Sequence, residues 1–455
     1  MFTQSKPIDV TIFNIPHDLL IYLATYLDAK SIFNLALTLT CGLTRHYDFK
    51  STPVETKKDY ASRYYHTLFQ KGKSCYEKEL QNIRIGASRS SGFYFSANGN
   101  CYVWGGSPYN RNVQIIKQID PLLSGKKIKK IVGDICQSGF IWTVFITKDG
   151  EVYATAAHHR PGFDKDKIAQ QVDDAKFKLF RLLENKKIID ACRSVNNKRT
   201  YFLTSDNEIY YYDILTHHLI ESTGQHTIAE HGEKIIALAA GANHILFLTA
   251  SGKVYGQYSN EFGELGIGNN DYQPVPVLIP LTKKIAGIAA GREQSYFLTA
   301  EGEVYVCGRN GYGQLGLGHY ADQNNPQLVA SLHDKKIVKI STGRDFALLL
   351  TSDGMVYGCG WNSSGQLALG NEEIQAAPQK IEAFERNKIK IRDVAAGFSF
   401  SLFLTEKGQL YSCGDNLMEQ LGLDSFSDLE YLNVPMKVSF AEACTKEMTF
   451  SPSNR

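Results

Sequence analysis

Two histidine pairs, His158-His159 and His217-His218, are the first groups in this chain that could hold a metal or move a proton. Neighbours in an extended chain point to opposite sides, so neither pair offers two nitrogens to one ion; solvated loop histidines are expected. Gly72-Lys73-Ser74 ends like a phosphate-cradling loop, but Thr67 stands where the first glycine belongs. His-Glu-x-x-His, Gly-x-Ser-x-Gly and Cys-x-x-Cys are all missing, and the carboxylates form no obvious pair. The nine cysteines are scattered, with Cys307, Cys359 and Cys413 each directly before a glycine in one repeated strand. That recurrence fits small buried packing residues in a reducing compartment better than disulfides or ligands. No catalytic residue, metal or cofactor is therefore expected, which leaves surfaces and the elements that present them.

The 455 residues carry 49 basic and 47 acidic side chains, a net charge of +2, with 43% hydrophobic and 21% charged residues. This is the composition of a folded chain, and so even a balance does not suggest a nucleic-acid binder, whose affinity comes from displaced counterions. No run approaches the roughly 20 apolar residues of a membrane-spanning helix. Met1 to Pro7 lack the charged-then-apolar layout of a secretory signal.

One pattern recurs: an aliphatic pair, small residues ending in Gly, an apolar strand ending in Thr, a turn, then an apolar-Tyr strand. Its clearest copies are Ile285 to Gly308 and Ile337 to Gly360; others run Ile235 to Gly256 and Ile389 to Gly414, with weaker ones near Ile83, Ile131 and Ile188. The turns fall at Gly99, Gly150, Asn207, Gly252, Gly302, Gly354 and Gly408, spaced 45 to 57 residues apart. Gly and Asn are the residues that best tolerate positive φ, and β-branched and aromatic residues flank them, so these are seven hairpins. A second half-motif follows the later copies: Gly263-Glu264-Leu265-Gly266, Gly313-Gln314-Leu315-Gly316, Gly365-Gln366-Leu367 and Glu419-Gln420-Leu421-Gly422. Several strands per unit at this period predict radially arranged blades, closed so that no sheet edge is left open.

Over residues 83 to 438 the alternation of Leu-Thr-x-x-Gly-x-Val-Tyr with Gly-Gln-Leu-Gly resembles the regulator of chromosome condensation repeats. The fold class expected is mainly β, a seven-bladed β-propeller, preceded by a small all-α F-box-like module. Residues 1–50 would form that module, 51–82 a helical spacer, 83–440 the propeller and 441–455 a loose tail.

Ile15-Pro16-His17-Asp18 sets a helix start, after which Leu19, Leu20, Leu23, Tyr26 and Leu27 recur at helical spacing. Ser31 can cap a second helix carrying Ile32, Phe33, Leu35 and Leu39. Two such short helices cannot bury these groups alone. Ile15 to Thr38 resembles an F-box without a gap, which implies docking on the Skp-type adaptor of a cullin ubiquitin ligase. The resemblance makes Ile15, Pro16, Leu19, Leu20, Leu23, Leu27, Ile32 and Leu35 the docking candidates; the alternative is a helical cap with the same leucines internal. It also implies action in a eukaryotic cytoplasm or nucleus, including a host cytosol reached by a secreted bacterial effector.

The propeller family includes a nucleotide exchange factor for the small GTPase Ran, which works by differential affinity and needs no acid, base or nucleophile. In that factor an Asp after a repeat Gly and a protruding wedge touch the GTPase. By resemblance, Asp134 after Gly133 and the irregular run with His158, His159, Arg160, Pro161 and Phe163 become candidate contacts, although the family's wedge follows the third repeat and this run the second. Asn243, His244, Arg292, Arg344 and Asp345 stand at equivalent loop positions, which a closed ring gathers on one face. The expected molecule is a monomeric adaptor that joins a ligase to a protein client; exchange on a Ran-type GTPase is the competing reading.

Overall fold

The computed structural model describes residues 83–88, 91–95, 101–105, 127–135, 140–158, 183, 186–194, 196–213, 218–221, 228, 232–423 and 429–438; at 101, 103, 133–135, 140–143 and 154–158 it gives the backbone path. The chain divides into two units, Ile83–Glu442 and a second comprising Met1–Asn82 with Ala443–Arg455. The F-box-like segment, the spacer and the tail lie outside the described residues. No helix among those residues is long and apolar enough to cross a membrane.

Seven antiparallel sheets follow one another in chain order. Blades 1 and 2 (84–105 and 128–158) show three strands among the described residues. Blades 3 to 7 (188–221, 235–278, 285–328, 337–380 and 391–437) have four. Blade 5 is representative: Ile285–Ala290, Gln294–Thr299, Val304–Gly308 and Gln323–Leu328, each paired with the next. The first strand of each blade packs against the first strand of the following blade, and the first strand of blade 1 against that of blade 7. The sheets thus form a seven-bladed ring with the first strands innermost.

Hairpin chemistry explains why each blade folds where it does. The turn residues Gly150, Asn207, Gly252, Gly302, Gly354 and Gly408 all have positive φ, from 70° to 98°. Ahead of each stands a threonine whose Oγ1 accepts from the backbone N–H four residues on, as Thr299 does from Glu303 at 3.1 Å and Thr405 from Gln409 at 3.0 Å. The turn also clasps the next blade: the Gly252 carbonyl accepts from Ile285 N–H at 2.9 Å, and Gly354 from Ile391 at 2.9 Å. In blade 3 the side chain of Asn207 takes that part, its Oδ1 accepting from Ile235 N–H at 2.7 Å.

The core lies between sheets. Leu246, Leu248 and Val254 of blade 4 pack with Ile285, Phe297 and Cys307 of blade 5, and blades 5 and 6 share Tyr296, Val304, Ala347, Leu349 and Cys359. Second strands are covered on both sides, so Phe346–Thr351 is buried throughout and shows no polar alternation. The repeated cysteines are free and buried; the thiols of Cys307 and Cys359 sit 3.4 Å from the carbonyls of Glu264 and Gln314 in the preceding blade.

Blade 2 corrects one reading of the sequence. Its first strand starts at Ile128, opposite Thr147, as Ile285 lies opposite Thr299; the repeat does not begin near Ile131. In that register Asp134, opposite Trp142, holds the place of Gly291 opposite Gln294. Asp134 is therefore the register equivalent of the repeat glycine, not the residue after it, because the ladder is counted back from the Gly150 turn.

Candidate functional site

Among the described residues, the loops joining first and second strands in blades 3 to 7 lie at one end of the blades, and their backbones are linked into an arc. Asn196 N–H donates to the Ala242 carbonyl at 3.1 Å, Ala242 to Arg292 at 2.9 Å, Arg292 to Arg344 at 3.2 Å and Arg344 to Phe398 at 3.3 Å. In blades 4 to 7 each loop is pinned by a glycine over which the residue three positions on is laid. A Cβ on Gly241 would come within 2.2 Å of His244, and one on Gly343 within 2.0 Å of Phe346. The two intervening residues, such as Arg292-Glu293 or Arg344-Asp345, are thereby presented along the arc.

A second layer comes from the loops after the third strands. The Glu293 carbonyl accepts from Arg309 N–H at 2.8 Å, and Asp345 from Trp361 at 2.9 Å. In blades 4 to 7 each of these loops is folded by an asparagine whose Oδ1 accepts from the leucine N–H of the Gly-Gln-Leu motif, as Asn310 does from Leu315 at 3.0 Å. The preceding Glx caps its own loop: Gln314 Oε1 accepts from Tyr312 N–H at 2.9 Å.

Where these loops meet, three guanidinium groups lie over two carboxylates. Arg309 Nη1 is 2.6 Å from Glu293 Oε2, Arg292 Nε 3.5 Å from Glu293 Oε1 and Arg344 Nε 3.0 Å from Asp345 Oδ2. The Arg344 side chain is 41% exposed and that of Asp345 only 5%, so the cations face solvent and the anions support them. Burial pushes the Asp345 carboxyl above its ordinary range, while Arg344, Arg292 and Arg309 oppose that rise. Its Oδ1 has no hydrogen-bond partner. Aromatic rings complete the surface. The Arg309 guanidinium stands 5.0 Å from the Phe262 ring centre, Arg344 stands 4.8 Å from that of Phe398, and Tyr312 meets Trp361 edge-on at 4.3 Å. Such contacts help hold Arg309 and Arg344 in place before anything binds.

The structure brings Asn243, Arg292 and Arg344 onto this arc, but sets His244 and Asp345 beneath it, at 1% and 4% exposure. Neither of those two side chains offers an exposed contact. Asp134 and His158 fall at the same end of their strands in blade 2, His158 closing the third strand opposite Phe140. His159, Arg160, Pro161 and Phe163 lie outside the described residues. Sequence reasoning missed Arg309, Trp361, Phe262 and Tyr312. The signal was present, since Arg309 and Trp361 each follow the strand-ending glycine that carries a cysteine before it.

A rigid ring carrying an arginine-and-aromatic face is the construction of a protein-interaction propeller. Residues 212–451 match the RCC1-like domain, and the chain belongs to that family. It is 32% identical over 202 residues to the ultraviolet-B receptor UVR8 of Arabidopsis thaliana, a match that covers 44% of this chain and 46% of the receptor. It is also 32% identical over 189 residues to the human E3 ubiquitin-protein ligase HERC2, covering 41% of this chain and 4% of that protein. The chain thus spans less than half the length of these curated relatives. Among solved structures, Prp20p of Saccharomyces cerevisiae superposes with a TM-score of 0.57 at 18% identity, over 80% of this chain and 89% of Prp20p, a likeness of fold.

Proposed function

We propose that this chain is a non-catalytic adaptor whose propeller binds a protein partner through the arc around Arg292, Arg309 and Arg344. The observation that carries the reading is the layering at that arc: guanidiniums at the surface, those of Arg309 and Arg344 set against aromatic rings, above carboxylates withdrawn from solvent. Arginine and large aromatics dominate interface hot spots, and pre-ordered side chains lose little entropy on binding. The F-box-like segment Ile15–Thr38 adds the second half, docking on a Skp-type adaptor so that client and ligase are held together at high effective concentration. Its support is the continuous sequence pattern.

The test is capture by the full chain from a eukaryotic lysate. Leu20→Asp with Leu23→Asp should abolish recovery of a Skp-type adaptor and leave propeller clients bound; Arg309→Ala with Arg344→Ala should do the reverse. Undiminished adaptor recovery by the leucine variant rejects docking through that face.

A second reading, binding or nucleotide exchange on a Ran-type GTPase, draws on the likeness to Prp20p, a protein studied for its binding to Gsp1p and histones. Fluorescent-nucleotide release from Ran decides it. Release unchanged at micromolar protein, or equal after removal of residues 158–163, counts against exchange through that run.

A further inference from the structure

The opposite face, where the first strands begin, carries a feature that the adaptor reading does not use. Immediately before the buried isoleucine that opens each first strand stands a lysine in six of seven blades: Lys127, Lys187, Lys234, Lys284, Lys336 and Lys390. All six are exposed, and none has an ion-pair partner among the described residues. Their neighbours behave otherwise: Lys186, Lys283 and Lys335 are each paired, with Glu208, Glu303 and Asp334.

The unpaired lysines are positioned by the ring itself. The carbonyls of Lys127, Lys187, Lys234, Lys336 and Lys390 each accept a backbone hydrogen bond from the hairpin turn of their own blade. Where the turn of the preceding blade holds a glycine, the lysine stem rests on it. A Cβ on Gly150 would fall 2.5 Å from Lys187 Cγ, and those on Gly252 and Gly354 would fall 3.0 Å from Lys284 and Lys390 Cβ. One lysine per blade at one register therefore places six positive charges at equivalent heights around the channel mouth.

The next residue along each strand divides this mouth in two. Blades 7, 1 and 2 contribute Arg392, Arg84 and Lys129; blades 3 to 6 contribute Ile189, Ile236, Ala286 and Val338. Ile236 and Val338 are 43% and 47% exposed.

From this arrangement we infer a second interaction surface: the lysine crown and its half-aliphatic mouth receive an acidic polypeptide segment that also carries aliphatic side chains. Charge complementarity selects a polyanion, and the geometry selects among polyanions. The hairpin turns stand outside the first strands and bear Asp149, Asp206, Glu301 and Asp353. A flat anionic bilayer approaching this face meets those carboxylates together with the lysines. A straight duplex can follow only a chord of a closed ring. A single extended chain fits inside the turns, curves along the crown and lays its aliphatic groups on Ile236 and Val338.

The experiment uses the full chain and three probes: a fluorescent 14-residue peptide of alternating Glu and Leu blocks, anionic phosphatidylserine vesicles and a duplex DNA of mixed sequence. The peptide should bind wild type with a steep dependence on salt. Lys284→Glu with Lys336→Glu and Lys390→Glu, an unpaired exposed set whose folding is checked by its melting curve, should weaken binding about tenfold or more through charge reversal. Ile236→Asp should weaken it separately. Arg309→Ala with Arg344→Ala on the other face should leave it unchanged, which keeps this surface distinct from the adaptor arc. The inference is overturned by absence of peptide binding, by undiminished binding to the triple variant, or by tighter binding of vesicles or duplex.

Discussion

His244 occupies the position that Gln294, Phe346 and Phe400 hold in the next three blades, and its chemistry follows from burial. Ser295 Oγ lies 2.6 Å from the Glu264 carbonyl and spends its proton there, so the ring must donate from Nε2 to Ser295 Oγ at 3.0 Å. Nδ1 is then a buried acceptor with no partner. Burial lowers the ring's pKa to about 4, from the ordinary histidine value of 6.5. As pH falls below 6.5 the unfolded chain takes this proton first, so the folded state is fully favoured above 6.5 and loses ground down to about 4. The gap corresponds to about 3 kcal/mol as an upper bound. His244→Phe copies Phe346, which also lies in the blade before a Ser, Ser401. It should leave the denaturation midpoint at pH 7 nearly unchanged while flattening its decline between pH 6.5 and 4; an equally steep decline would refute this account. The spacing of residues located His244, Arg292 and Arg344 but not their depth, because a single step along a strand decides between the face and the layer beneath it.

Among elements, the hairpin turn is the part most legible in sequence, since a positive-φ residue after an apolar strand ending in Thr leaves few alternatives. Gly302 shows how much one turn carries. Its φ is +98°, its carbonyl accepts from Ile337 N–H at 3.2 Å, and an added Cβ would lie 2.8 Å from both Ile337 N and Lys336 Cα. Gly302→Ala therefore combines backbone strain with displacement of the next blade, and a loss of about 2–4 kcal/mol in chemical denaturation is expected. A midpoint within error of wild type would show that the turn yields without disturbing blade 6. Asn207 reaches the same end by another route, which is why one non-glycine fits the series. Blade 2 was misread because Gly133-Asp134 imitates the repeat glycine one residue too early; only the ladder from Gly150 exposes the slip. The cation–ring stacks were hidden for a different reason, as Arg309 and Phe262 lie 47 residues apart and meet only when adjacent blades do.

At the scale of the molecule, the number of blades could be counted from the turns, whereas the joint that shuts the ring could not. Across blades 4 to 7 the carbonyl of the Glx in each Gly-Gln-Leu motif accepts from the following blade: Glu264 from Ser295, Gln314 from Tyr296 OH of its own blade and the Cys359 thiol of the next, Gln366 from Ser401. For Gln420 the following blade is the first, and the donor is Trp104 Nε1, 2.8 Å away across 316 residues of chain. Arg392 of blade 7 reinforces the joint by reaching the Ile83 carbonyl at 3.4 Å. Trp104 lies flat on Gly92, where a Cβ would fall 2.2 Å from its ring, so the closing donor is held by its own blade before it meets the other. Trp104→Phe keeps most of that packing and removes the N–H, leaving the buried Gln420 carbonyl unsatisfied at a cost of about 1–3 kcal/mol. Because the joint is where the ring's ends meet, the loss should be local before it is global. Amide exchange ought to rise first in the strands Ser91–Phe95 and Phe400–Thr405, while Gln294–Thr299 on the far side keeps its protection until the whole ring opens. Uniform acceleration in every blade would mean that the ring has no seam and that closure is shared equally among all seven interfaces.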